Sequence, residues 1–101
     1  MGITSKTSSD DKVLTISIEG IFDFSLYQDF RKAYEDIPDG VEKYIINLAH
    51  TSKIDTAVIG MLMAMRDHIG VDSHKIVIRN CNESILEIIL AANFGQRFKI
   101  E

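Results

Sequence analysis

The stretch KIDTAVIGMLMAMRDHIG, residues 53–70, begins as the end of a β-strand and continues as a methionine-rich helix. A carboxylate and a hydroxyl, Asp55 and Thr56, stand where that helix would begin. Threonine is a common N-cap, because its side-chain oxygen can accept a hydrogen bond from an unpaired backbone N–H of the first turn. The sequence therefore predicts that Thr56 caps the helix. It leaves open whether the hydroxyl has a second, regulatory role.

The two sides of this helix differ in character. At about 100° per residue, one stripe of apolar side chains predicts the side that faces the core; it comprises Val58, Met61, Leu62, Met65 and Ile69. Ile59 and Met63 project away from that stripe, and Thr56 and Gly60 lie farther round. Monomers seldom leave contiguous apolar surface in water without a partner, so this flank is a candidate protein-docking surface. Packing of Ile59 and Met63 under a neighbouring loop is the alternative.

The rest of the chain alternates strand and helix patterns. Strands are predicted at residues 3–7, 13–18, 44–48, 75–79 and 97–100, and the first two form a hairpin. Helices are predicted at residues 26–36 and 84–93, the first begun by Ser25 and Gln28 at capping-box spacing and followed by a turn at residues 38–40. Strands alternating with helices imply parallel crossovers. The order predicts an α/β fold, a mixed β-sheet of about five strands with three or more helices packed on it.

Length and composition bound the class of protein. The 101 residues are 46% hydrophobic and 26% charged, which predicts one globular domain over residues 1–101. The longest apolar run, residues 57–65, is far shorter than the roughly 20 residues of a membrane span, and a net charge of −4 argues against binding nucleic acid. No secretory signal is readable, and the single cysteine, Cys81, cannot form an internal disulfide. We therefore expect a cytoplasmic protein that binds neither membrane nor nucleic acid.

Side chains with catalytic or metal-binding potential are scattered. His50, His68 and His74 have no zinc-ligand spacing with Cys81 or a carboxylate. A nucleophilic Cys81 would need a base that the sequence does not display, so a small, partly buried thiol is expected. There is no glycine-rich phosphate loop and no pair of catalytic acids. The sequence predicts no enzyme, no metal site and no cofactor.

Three segments carry a resemblance to a known family. They are GIFDFSLYQDFRKAYE at residues 20–35, YIINLAH at 44–50 continuing to IDTAVIGML at 54–62, and IVIRNCNESILEIILAANF at 76–94. Together they resemble the STAS domain of bacterial anti-anti-sigma factors, in particular the small single-domain members of partner-switching systems. The resemblance runs over essentially the whole chain and implies the STAS fold.

The resemblance also implies a site. The family commonly has Asp-Ser-Ser or Asp-Ser-Ala, then an apolar residue and glycine, where this chain has DTAVIG at residues 55–60. Its phosphorylated serine matches Thr56, a departure from the usual residue type, and the family's loop before the first helix also contacts partners. The implied partner-binding residues are Asp23, Phe24, Asp55, Ala57, Ile59, Gly60 and Met63. The residues alone leave Asp23 open as a polar turn residue and Phe24 as a staple packed on the first helix.

A mechanism follows from the resemblance. The unphosphorylated protein binds an anti-sigma factor or another partner, often one with an ATPase-like Ser/Thr kinase fold. Phosphorylation breaks the complex, and a PP2C-type phosphatase restores it. Two alternatives stay open: a structural STAS subunit of a larger sensory assembly, and a module that binds a small anion or metabolite at the helix N-terminus.

Overall fold

A five-stranded mixed sheet forms the centre of the molecule. The computed structural model describes residues 2–35, 40–70, 75–93 and 98–101 of the chain. The strands lie in sequence order, β1 antiparallel to β2 and the others parallel; they are β1 (Ile3–Thr7), β2 (Val13–Phe22), β3 (Lys43–Ile54), β4 (Ile76–Arg79) and β5 (Lys99–Ile100). The helices are α1 (Tyr27–Glu35), α2 (Ala57–Ile69) and α3 (Glu83–Ala91). In these described ranges, every helix is too short or too polar to cross a membrane.

The predicted α/β class and order of elements are confirmed, whereas several boundaries differ. β2 and β3 both run past their predicted ends, because pairing continues through two register shifts, after Ser17 and after Gly20, and reaches the pair Phe22 and Ile54. The first helix starts at Tyr27, after a 3-10 turn over Phe24–Leu26. The predicted helix end at residue 36, the turn residues 38–39 and the strand start at residue 97 lie outside the described residues.

All three helices pack on one face of the sheet. Strands that follow one another in the same direction, joined by right-handed crossovers, place their connecting helices on a common side. The core between them contains alternate side chains of the strands and one face of each helix; its fully buried members include Ile16, Ile46, Ile78, Phe30, Leu62 and Ile89. The predicted core stripe of α2 is confirmed for its four buried residues, while Ile69 is only half-buried.

A buried hydroxyl supports the first register shift between β2 and β3, where β3 has one residue more than β2. Thr51 is 4% exposed, and its Oγ1 donates a hydrogen bond to the backbone oxygen of Ile18 at 2.7 Å. Ile18 lies between the two residues that flank the shift, so it has no pairing partner in β3. The threonine thus satisfies a carbonyl that the parallel ladder leaves unpaired.

Candidate phosphorylation and partner-binding site

The candidate site lies where β2 and β3 leave the sheet. Phe22 and Ile54 are the last paired residues of the two strands, and the backbone N–H of Asp55 donates to the oxygen of Phe22 at 3.0 Å. Because the strands are parallel, Asp23 and Asp55 emerge side by side at the carboxyl edge, the edge at which α/β proteins commonly bind their ligands. The structure therefore brings together the loop before α1 and the start of α2, as the resemblance implied.

Asp55, not Thr56, caps α2. Its Oδ1 accepts a hydrogen bond from the backbone N–H of Ala57 at 2.9 Å, and its backbone oxygen accepts from Val58 at 3.0 Å. Thr56 has helical backbone angles of φ −60° and ψ −25°, and its side chain makes no capping bond. The prediction that Thr56 caps the helix is wrong, because an N-cap side chain needs an extended backbone to reach the first turn. A carboxylate also suits the positive end of the helix dipole.

The Thr56 hydroxyl is consequently held only loosely. The residue is exposed, and its Oγ1 lies 3.4 Å from Asp55 Oδ1. That separation exceeds the 2.5–3.0 Å of an ordinary O–H···O hydrogen bond. An incoming group therefore has no strong hydrogen bond to break at this oxygen.

The turn after β2 is capped by an aspartate, as is the turn after β3. Asp23 Oδ1 accepts from the Ser25 backbone N–H at 2.9 Å and from the Ser25 hydroxyl. Ser25 therefore lies inside a turn that Asp23 caps, and the prediction that Ser25 begins the helix is wrong. Phe24 stacks on Tyr27 with ring centroids 5.3 Å apart, yet 62% of its surface is exposed. It contacts the first residue of α1, as a staple would, and also presents an aromatic face to solvent.

The flank of α2 beside Thr56 is less apolar than the sequence indicated. Ile59 and Met63 are half-buried and pack against the edge of the core, so each presents only part of its side chain. Ala57 is also half-buried, whereas Gly60 is exposed. Ile21, near the end of β2, is 48% exposed, but it points to the face of the sheet opposite buried Phe22 and does not extend this flank.

A third capped turn completes this edge. Asn82 Oδ1 accepts from the backbone N–H of Ile85 at 2.9 Å, which starts α3. Its Nδ2 donates to the backbone oxygens of Ser52 at 3.1 Å and Thr51 at 3.4 Å. Asparagine is a favoured N-cap, but no local sequence pattern indicates the bonds from Asn82 to β3. These bonds fix the turn before α3 against the strand that leads to Asp55.

Among the described residues, the other groups with catalytic or metal-binding potential do not assemble into a site. In the part of the chain that the structure describes, no three His, Cys, Asp or Glu side chains cluster as a metal site would require. Cys81 is half-buried, and burial raises the pKa of its thiol above the ordinary value. A raised pKa disfavours the thiolate that a nucleophile needs. His74 lies outside the described residues.

Comparison with known proteins identifies the family. A family model described as "Mlab, STAS domain" matches residues 5–100, and the chain therefore belongs to the STAS domain family. A STAS-domain containing protein of Pseudomonas aeruginosa strain UCBPP-PA14 is 40% identical over 100 residues, which is 99% of each chain.

Solved structures share the fold. A Thermotoga maritima protein proposed to be an anti-sigma factor antagonist has a TM-score of 0.80 at 18% identity, over 97% of this chain and 84% of its own. The anti-sigma factor antagonist SpoIIAA, in its unphosphorylated form, has a TM-score of 0.70 at 16% identity, over 99% of this chain and 87% of its own. The chain therefore has the SpoIIAA-like STAS fold that the sequence predicted.

Proposed function

We propose that this STAS domain is an anti-anti-sigma-like regulator controlled at Thr56. It binds an anti-sigma factor, or another partner with an ATPase-type kinase fold, while Thr56 is unmodified. A Ser/Thr kinase transfers phosphate to Thr56 and so releases the partner, and a PP2C-type phosphatase reverses the step. The role is not enzymatic and is exercised in the cytoplasm of a bacterium.

One observation carries this proposal. Thr56 is exposed at the shared edge of β2 and β3, and its hydroxyl takes no part in capping α2. It lies beside residues suited to a protein contact: the exposed ring of Phe24, exposed Gly60, and partly exposed Ile59 and Met63. The fold likeness to SpoIIAA, an anti-sigma factor antagonist with an unphosphorylated form, supports the same assignment.

The electrostatics of the site explain how phosphate would act as a switch. A phosphate adds a charge of about −1.5 to −2 next to the Asp55 carboxylate. The N-terminus of α2 accommodates this charge, because unpaired N–H groups and the helix dipole favour anions there. The fold therefore survives the modification. A partner surface that packed against a neutral hydroxyl must desolvate the new charge, which disfavours the complex.

Phosphate labelling by the ATPase-fold kinases of the source organism, each purified and supplied with ATP, tests the proposal. One kinase should add a single phosphate to the wild type, detected by intact mass, and none to Thr56→Ala. Thr56→Ser should accept phosphate, because it keeps the hydroxyl. Thr4→Ala is the matched control, since Thr4 is an exposed threonine on the edge strand β1 and its loss should leave labelling unchanged. Labelling that persists in Thr56→Ala would refute the assignment.

A further inference from the structure

We propose that Asp55 is a positioning residue for Thr56: by capping α2 itself, it keeps the Thr56 hydroxyl out of a capping bond and available to a phosphoryl donor. This inference rests on the proposed function of Thr56. It concerns the side chain that holds the acceptor, not the acceptor itself.

Asp55 and Thr56 could each cap the N-terminus of α2. Both aspartate and threonine are favoured N-caps, and they occupy consecutive positions at the start of α2. In the structure the carboxylate of Asp55 takes the Ala57 N–H, and Thr56 has the backbone angles of a first-turn residue. If Asp55 did not cap, the helix could begin one residue later, with Thr56 extended and its Oγ1 bonded to an N–H of the first turn.

Backbone hydrogen bonds hold Asp55 between the sheet and α2. Its backbone N–H donates to Phe22 at 3.0 Å, and its backbone oxygen accepts from Val58 at 3.0 Å. The residue therefore joins the end of β2 to the first turn of α2, and in this position its carboxylate meets the Ala57 N–H. Thr56 has no comparable side-chain bond, since the separation of its Oγ1 from Asp55 Oδ1 is 3.4 Å.

The consequence concerns phosphoryl transfer. A bond forms between Thr56 Oγ1 and the γ-phosphorus of ATP, the bond from that phosphorus to the β,γ-bridging oxygen breaks, ADP leaves, and the hydroxyl proton passes to a base of the kinase. An Oγ1 that accepts a bond from the helix backbone points inward, and the cap must break before transfer. An ordinary capping bond reduces the free hydroxyl population about fivefold.

Two substitutions at residue 55 separate positioning from charge. Asp55→Ala removes the cap, and we expect the labelling rate of Thr56 by the kinase to fall about fivefold. Asp55→Asn keeps an oxygen that can accept from Ala57 but removes the charge, and it should slow labelling less than Asp55→Ala does. Equal slowing in both variants would assign the effect to charge and overturn the proposal, as would a wild-type rate in Asp55→Ala.

A measurement without kinase keeps this inference distinct from the proposed function. The three-bond Hα–Hβ coupling of Thr56 reports its χ1 rotamer in solution by NMR. Wild type and Asp55→Asn should give the same coupling, while Asp55→Ala should shift it as Thr56 turns inward to cap. An unchanged coupling in Asp55→Ala would overturn the positioning role. If no kinase labels the wild type, the proposed function fails, and the coupling still decides the role of Asp55.

Discussion

The backbone N–H of Asp55 donates to the backbone oxygen of Phe22 at 3.0 Å. This bond extends the parallel pairing of β2 and β3 by one step beyond the last paired side chains. It brings Asp23, which caps the turn before α1, next to Asp55, which caps α2. The candidate surface is thus built from two capped turns that the sheet holds in fixed relation.

Asn82 should stabilise the fold through both its side-chain oxygen, Oδ1, and its side-chain nitrogen, Nδ2. Asn82→Ala removes the cap of α3 and the two bonds to β3 carbonyls, and we expect a loss of about 1–2 kcal/mol in the free energy of unfolding. Asn82→Ser keeps an oxygen for the cap and loses only the donated bonds, so its loss should be smaller. Equilibrium unfolding in urea measures both. An equal loss in the two variants would mean that the cap contributes nothing.

Gly60 should make the isolated domain less stable than an alanine at the same position would. A Cβ built at this position meets no heavy atom of the described residues within 4 Å, and the residue is in the interior of α2. Gly60→Ala should therefore raise the free energy of unfolding by about 0.5–1 kcal/mol. The matched control is Ala64→Gly, one turn further along and also exposed, which should lower it by a similar amount.

The same pair tests whether Gly60 lies under the partner. If Gly60 contacts the partner, Gly60→Ala should weaken binding to the kinase in the absence of ATP, measured by calorimetry, although the domain is more stable. Ala64→Gly should bind as wild type does. A stabilised Gly60→Ala with unchanged affinity would remove Gly60 from the partner surface.

Phe24 should matter for binding more than for folding. Its ring is 62% exposed and stacks on Tyr27, so Phe24→Ala should cost about 0.5–1.5 kcal/mol of stability. If the ring is a central contact, truncation should cost about 2 kcal/mol of binding free energy, or roughly thirtyfold in Kd. Leu90→Ala is the control, because Leu90 is 52% exposed but lies on α3. Equal losses of affinity in the two variants would argue against a specific role for Phe24.

The sequence predicts which helices and strands form better than it predicts where each one ends. The alternation of Leu14, Ile16 and Ile18 identifies β2, since period-2 burial is local to the strand. The apolar pattern stops there because Gly20 has no side chain at the next inward position and apolar Ile21 takes an outward one, so the four further residues of β2 could not be read from it. These residues include Phe22, whose backbone oxygen accepts from the Asp55 N–H at the candidate site.

At the candidate site, the sequence likewise does not decide which of two side chains caps the helix. The sequence places Asp55 and Thr56 together at a helix start, and either is a suitable cap. The choice between them depends on where β3 ends: Asp55 is still bonded to Phe22 of β2, and its carboxylate is the one that meets the Ala57 N–H. Such a contact is not local in sequence, and so no local pattern predicted it.

The central claim, that negative charge at Thr56 dissociates a partner from an intact domain, is tested most directly with an acidic substitution. Binding of Thr56→Glu to the kinase without ATP should be measured by calorimetry, beside its unfolding in urea. We expect at least a tenfold loss of affinity, with the free energy of unfolding within about 0.5 kcal/mol of wild type. Thr4→Glu, with the same charge on β1, should change neither quantity. Wild-type affinity in a folded Thr56→Glu protein would contradict the account.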